Sequence, residues 1–133
     1  LPGALLHNES QKFICRNVHL KPVSRIASIS AELDPSKPRM IPIAHGEGNY
    51  HISADGLKAL EDQDQILFQY CDEKGKVNPW SNPNGSMHNI AGVANEHMNV
   101  FGMMPHPERA ASEDLGNTDG AAILSGLVAL AEA

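Results

Sequence analysis

Cysteine is scarce in this chain, with only Cys15 and Cys71 among 133 residues. Two cysteines do not make a disulfide scaffold, so the fold must rest on an apolar core, and both thiols read as reduced, small core hydrophobes. Positive charge is also short. Ten Lys and Arg face sixteen Asp and Glu, a net charge of −6, which excludes the basic stripe that nonspecific nucleic-acid binding needs. No apolar run is long enough to span a bilayer and no secretory leader opens the chain, so the expectation is no membrane and a cytoplasmic protein. Aromatics are few. Trp80 and Tyr50 lie in predicted loops, where they could bind a ligand, but a lone loop aromatic is usually packing. The chain starts at Leu1, and the apolar Leu1–Leu6 reads as the tail of an element already under way, as in a fragment or processed chain.

What is present suffices for one domain with a real core: 41% of residues are hydrophobic, an ordinary share for a globular protein. Phe13–Val23 reads as a strand, with Ile14, Val18 and Leu20 on one face and Phe13, Cys15, Asn17 and His19 on the other. Ser24–Arg39 reads as a long connection with a helical turn around Ala27–Leu33. Met40–Ala44 is a second strand, and its Pro42 predicts an edge or a bulge. Ser53–Asp62 reads as a short helix capped by Ser53, and Gln65–Cys71 as a third strand. Val77–Gly85 is a loop ending in the turn signal Asn84-Gly85. Ile90–Asn95 is a strand, and Glu96–Asn99 turns it back onto a buried strand at Val100–Met104. Asp119–Ala133 closes the chain as an amphipathic helix capped by Thr118 or Asp119. The order predicts a mixed α/β layer structure in one domain, residues 1–133.

The chemistry gathers where the Val100–Met104 strand runs into Pro105-His106-Pro107-Glu108. Each proline biases the residue before it toward extended backbone. Side chains two apart in an extended chain share a face, which brings the His106 imidazole to the Glu108 carboxylate. A base oriented by an acid is two thirds of a nucleophilic triad; the same pattern also fits a solvated loop. If that strand were parallel in an open sheet, its end would lie where such sheets bind ligands. A second His-x-Glu, His45-Gly46-Glu47, sits in a glycine-rich loop and reads either as a substrate-pocket lining or as a plain glycine turn. His45, Glu47, His106 and Glu108 together offer a third reading, a metal-dependent hydrolase, although neither pair has a recognised ligand spacing. Neither cysteine sits on the glycine-flanked elbow that exposes a nucleophile.

Gly102–Arg109 (Gly-Met-Met-Pro-His-Pro-Glu-Arg) resembles the C-terminal catalytic motif of class I glutamine amidotransferases. More narrowly, it is similar to the glutaminase subunits of phosphoribosylformylglycinamidine synthases, a purine-pathway family. Leu1–Ser10, Lys12–Leu20, Ile41–Tyr50, Asn82–Ser86 and Asn89–Val93 carry the same resemblance, in the family's order and over nearly the whole chain.

The resemblance implies a flavodoxin-like α/β fold and hydrolysis of glutamine to glutamate. The ammonia would pass to a synthetase subunit that uses ATP and Mg, with a small accessory subunit as a further partner and no cofactor or metal in this chain. It implies His106 as acid and base, Glu108 as its orienter, and His45, Gly46 and Glu47 near the glutamine pocket. The family's cysteine nucleophile lies on an elbow before the stretch matching Leu1–Leu6, so the expected fold is incomplete: the C-terminal part of one amidotransferase domain, inactive alone. Loss of central strands would leave Ile123, Leu127 and Leu130 without a partner. The alternative is a non-catalytic binding or scaffolding module that kept the fold.

Overall fold

The computed structural model describes residues 1–133, and its main sheet grows outward from β2 (Ile14–Pro22). Val18, Leu20 and Pro22 are buried while Cys15 and Asn17 are open to solvent, the two-residue period of a strand covered on one face. β2 pairs antiparallel with β3 (Arg39–His45) on one side and β5 (Ile66–Cys71) on the other. β6 (Ile90–Ala94) and β7 (Phe101–Met103) extend the sheet, giving the order β3-β2-β5-β6-β7. A two-stranded ribbon, β1 (Ala4–Leu6) with β4 (Asn49–His51), sets Leu5 opposite Tyr50.

β5 and β6 are buried almost throughout. A register shift between them breaks strict alternation, and Leu67 and Phe68 both join the larger core cluster with Leu20, Ile41, Ile43 and Tyr70. α1 (Ser28–Ala31) and α3 (Asp119–Glu132) add Ile29 and Ile123 to it. α2 (Ala54–Asp62) brings Leu57 and Leu60 to a smaller cluster with Tyr50, Ile66, Ile90 and Val93. Ser53 caps α2 as its sequence predicts, its Oγ accepting the Gly56 N–H at 3.1 Å.

Pro42 lies on an edge strand, as its missing N–H requires, and the chain that follows β7 covers that edge. The Pro42 carbonyl accepts the His106 N–H at 2.8 Å. Met40 donates its N–H to Asp119 Oδ2 at 2.8 Å, and its carbonyl accepts from Asn117 Nδ2 at 2.7 Å. Side chains and backbone of 106–119 thus complete the ladder that an open edge would leave exposed. The same contacts hold His106 against the sheet.

Four expectations change. Every strand pair formed here is antiparallel, so the 100–104 segment is not a parallel strand; β7 is a short, half-buried edge strand. Cys15 is exposed, because it lies on the uncovered face of β2, whereas Cys71 is buried as predicted. Thr118 sits at the N-cap of α3 without a side-chain bond; Asn117 Oδ1 takes the Asp119 N–H instead, at 2.9 Å. Ile123 has found its core, while Leu127 and Leu130, with Val128 beside them on the outer turns of α3, remain open. No helix is long and apolar enough to cross a membrane.

Candidate active site

His106 and Glu108 meet. Nδ1 of His106 stands 2.7 Å from Oε1 of Glu108. The backbone route differs from the extended chain expected. Pro107 opens a 3-10 turn, Pro107–Ala110, with His106 at its N-cap (φ −105°, ψ 85°), and the turn brings Glu108 back to the imidazole. Proline suits this first position, where its missing N–H costs nothing. The turn is anchored by buried Pro107 and Ala110 and by Gly120 of α3, where an added Cβ would lie 1.9 Å from the Pro107 carbonyl oxygen.

Glu108 sits below the usual carboxylate range. Desolvation pulls it upward, but a backbone hydrogen bond, the His106 hydrogen bond and the charges of His106 and Arg109 together outweigh it. With Glu108 ionised, Nδ1–H must donate, which leaves Nε2 free to exchange a proton with a bound reactant. The imidazole is about one-third exposed, so a ligand has access to it.

His45 has the opposite surroundings. It is 4% exposed, its Nδ1 lies 2.9 Å from Asn8 Oδ1, and its Nε2 lies 3.4 Å from Asn84 Nδ2. Burial pushes its imidazole below the ordinary value; a backbone hydrogen bond opposes this, and the charge of nearby His106 reinforces it. Its ring therefore meets protein on both nitrogens. Glu47 turns outward and reaches His7 at 3.6 Å, both well exposed. Gly48 is required by close approach: an added Cβ would lie 2.3 Å from the His45 ring. At Gly46 the nearest atom would be a Phe13 ring carbon at 3.9 Å.

The residues that hold this loop, Asn8 and Asn84, carry no motif signal for that role. Asn8 falls in no element that the sequence predicts, and Asn84 reads there as a turn former. Only their amide chemistry hinted at a buried role. The four residues of the metal reading do not converge, and no group of three or more His, Cys, Asp or Glu is arranged to hold an ion. Neither cysteine is hydrogen-bonded to His106, and burial pushes the Cys71 thiol up to about 11. An apolar cleft of about 350 Å³, lined by Leu1, Pro2, Tyr50, Val93, Met103 and others, opens between the β1–β4 ribbon and β6–β7. Tyr50 is its one titratable side chain.

One family model spans both the dyad and the loop. The CobB/CobQ-like glutamine amidotransferase domain matches residues 2–119, and the chain belongs to that family. Its fold is of the class I glutamine amidotransferase-like α/β type. Among its relatives is phosphoribosylformylglycinamidine synthase subunit PurQ of Aquifex aeolicus, 48% identical over 120 residues, covering 90% of this chain and 53% of the relative. PurQ of Synechocystis sp. is 50% identical over 123 residues, covering 92% and 55%. The solved PurLQS structure from Thermotoga maritima matches 98% of this chain and 53% of its counterpart, with TM-score 0.78 and 36% identity. The chain spans about half the length of the curated relatives it matches.

Proposed function

We propose that this chain is the C-terminal part of the amidotransferase domain of a phosphoribosylformylglycinamidine synthase glutaminase. That component hydrolyses glutamine to glutamate in de novo purine biosynthesis and passes ammonia to a synthetase subunit. The observation that carries the reading is the His106–Glu108 pair at 2.7 Å, in a chain 48% identical to a PurQ subunit.

In this reading a cysteine thiolate from the nucleophile elbow, outside these 133 residues, attacks the glutamine carboxamide carbon. The C–N bond then breaks as imidazolium His106 gives its Nε2 proton to the departing nitrogen, releasing ammonia and leaving a thioester. Neutral His106 next takes a proton from water, whose oxygen attacks the thioester carbon and releases glutamate and the thiolate. Glu108 holds the ring at Nδ1 and stabilises the imidazolium in each half. Gly46 and Glu47, with His45 behind them, form one side of the glutamine pocket. ATP and Mg act on the synthetase partner, a small accessory subunit completes the assembly, and this chain carries no cofactor. The name of the Thermotoga maritima PurLQS assembly supports a synthetase partner.

Glutamate release from glutamine by the complete protein tests the reading. Turnover that survives His106→Ala would overturn it. The 133-residue chain alone should release none; release that disappears on Cys15→Ala or Cys71→Ala would place the nucleophile inside the chain.

A further inference from the structure

Asn8 is fully buried, and its side chain spends its full hydrogen-bonding capacity on the His45–Gly48 loop and the Lys12 carbonyl. Its Nδ2 donates to the Lys12 and His45 carbonyls, each at 2.8 Å. Its Oδ1 accepts the Gly48 N–H at 3.1 Å and faces His45 Nδ1 at 2.9 Å. Its backbone N–H donates to the Gly46 carbonyl at 2.8 Å. One residue therefore touches the loop at positions 45, 46 and 48.

These contacts also determine the state of the His45 ring. The Asn8 amide cannot be reversed, because its NH₂ end meets two carbonyls and its oxygen meets a backbone N–H. His45 Nδ1 faces that oxygen and must carry the proton. On the other side, Asn84 Oδ1 accepts the Ser86 N–H at 3.1 Å. That leaves the Asn84 NH₂ end toward His45 Nε2 and the Tyr70 hydroxyl. A protonated Nε2 would meet a donor, so the ring is held neutral, with its hydrogen on Nδ1. The Ser86 hydroxyl closes the cage, lying 3.0 Å from the Gly48 carbonyl oxygen and 2.8 Å from Asn84 Oδ1.

The same strand carries both halves of the site. β3 ends at His45, and its Pro42 carbonyl receives the His106 N–H. From this arrangement we infer that Asn8 is a positioning residue for glutamine: through His45 it sets the backbone of Gly46–Gly48 relative to the His106–Glu108 dyad. The inference rests on the glutaminase reading above. Asn8 touches no reacting atom, so its loss acts on substrate placement more than on proton transfer.

Two measurements on the complete protein test it. Imidazole ¹⁵N NMR of the unsubstituted protein at neutral pH should show His45 as the neutral Nδ1–H tautomer; an Nε2–H tautomer or an imidazolium would overturn the clamp. In steady-state glutamine hydrolysis, Asn8→Ala should raise KM about tenfold while kcat changes by less than about threefold. If that variant does not fold, the isosteric Asn8→Asp, which sets oxygen against the two carbonyls, should show the same split. A folded variant with unchanged KM, or with loss confined to kcat, would overturn the role. Absence of glutaminase activity in the unsubstituted protein would sink the functional reading and this role with it, while the tautomer would still report whether the clamp exists.

Discussion

Two of the chain's three His-x-Glu triplets, 45–47 and 106–108, meet at the edge strand β3, and they do opposite things. His106 and Glu108 bond each other and stay within reach of solvent. His45 and Glu47 diverge, the histidine into the protein toward Asn8 and Asn84, the glutamate outward toward His7. Backbone makes the difference. Pro107 starts a 3-10 turn that folds Glu108 back on His106. His45 ends a strand, so its side chain takes the buried side while the glycines carry the next residues away. Equal spacing of chemical groups therefore says little until the turn between them is known.

The contrast breaks most visibly at the dyad. In the complete protein, His106→Ala should lower glutamine turnover by about 10²–10⁴-fold, the range for a general acid–base, measured as glutamate release. Glu108→Ala should cost less, since an orienter is the less critical partner. Equal losses would mean that Glu108 does more than orient.

Packing is the next test. Gly120→Ala drives a methyl against the Pro107 carbonyl, backbone that cannot step aside, and should destabilise by about 1–3 kcal/mol in chemical denaturation. Gly48→Ala strikes the His45 ring and should also destabilise, whereas Gly46→Ala, with 3.9 Å to its nearest neighbour, should stay within about 0.5 kcal/mol. A costly Gly46→Ala would mean that the loop is tighter than its geometry.

The buried histidine has a pH signature. Its folded value is depressed, chiefly by burial, so the unfolded chain binds the proton first as pH falls. His45 therefore contributes stability in full above its ordinary value of about 6.5, and that contribution is lost as pH drops toward the folded value. His45→Gln should flatten the stability slope between pH 7 and pH 5, whatever it does to stability at pH 7. An unchanged slope would show that His45 titrates alike in both states. The smallest effect belongs to the outward arm: Glu47→Gln, at an exposed pair, should change stability by less than about 0.5 kcal/mol. A raised glutamine KM in that variant would support a place for Glu47 at the pocket.

Most of the strands and both longer helices were legible, because alternation, a Ser cap and an isolated strand proline are local signals. The edge position of β3 followed from Pro42 alone. Strand order was not legible. The exception is the β6–β7 hairpin, read from the short turn at 96–99 and formed antiparallel as that turn requires; β2 lies between β3 and β5, and no local signal encodes those neighbours. The exposure of Cys15 was misread for the same reason: alternation assigned it to a face, but which face would be covered depended on where α1 and α3 came to rest.

Sequence by itself put His106 and Glu108 within reach of each other, two residues apart with prolines restricting the backbone, although the 3-10 turn that joins them was not read from it. Only the tertiary structure decided the fate of His45. Its partners Asn8 and Asn84 lie 37 and 39 residues away along the chain. No periodicity connects such positions. Folding alone brings those amides to the ring, and burial then makes their hydrogen bonds obligatory, because a polar group removed from water must find its partner within the protein.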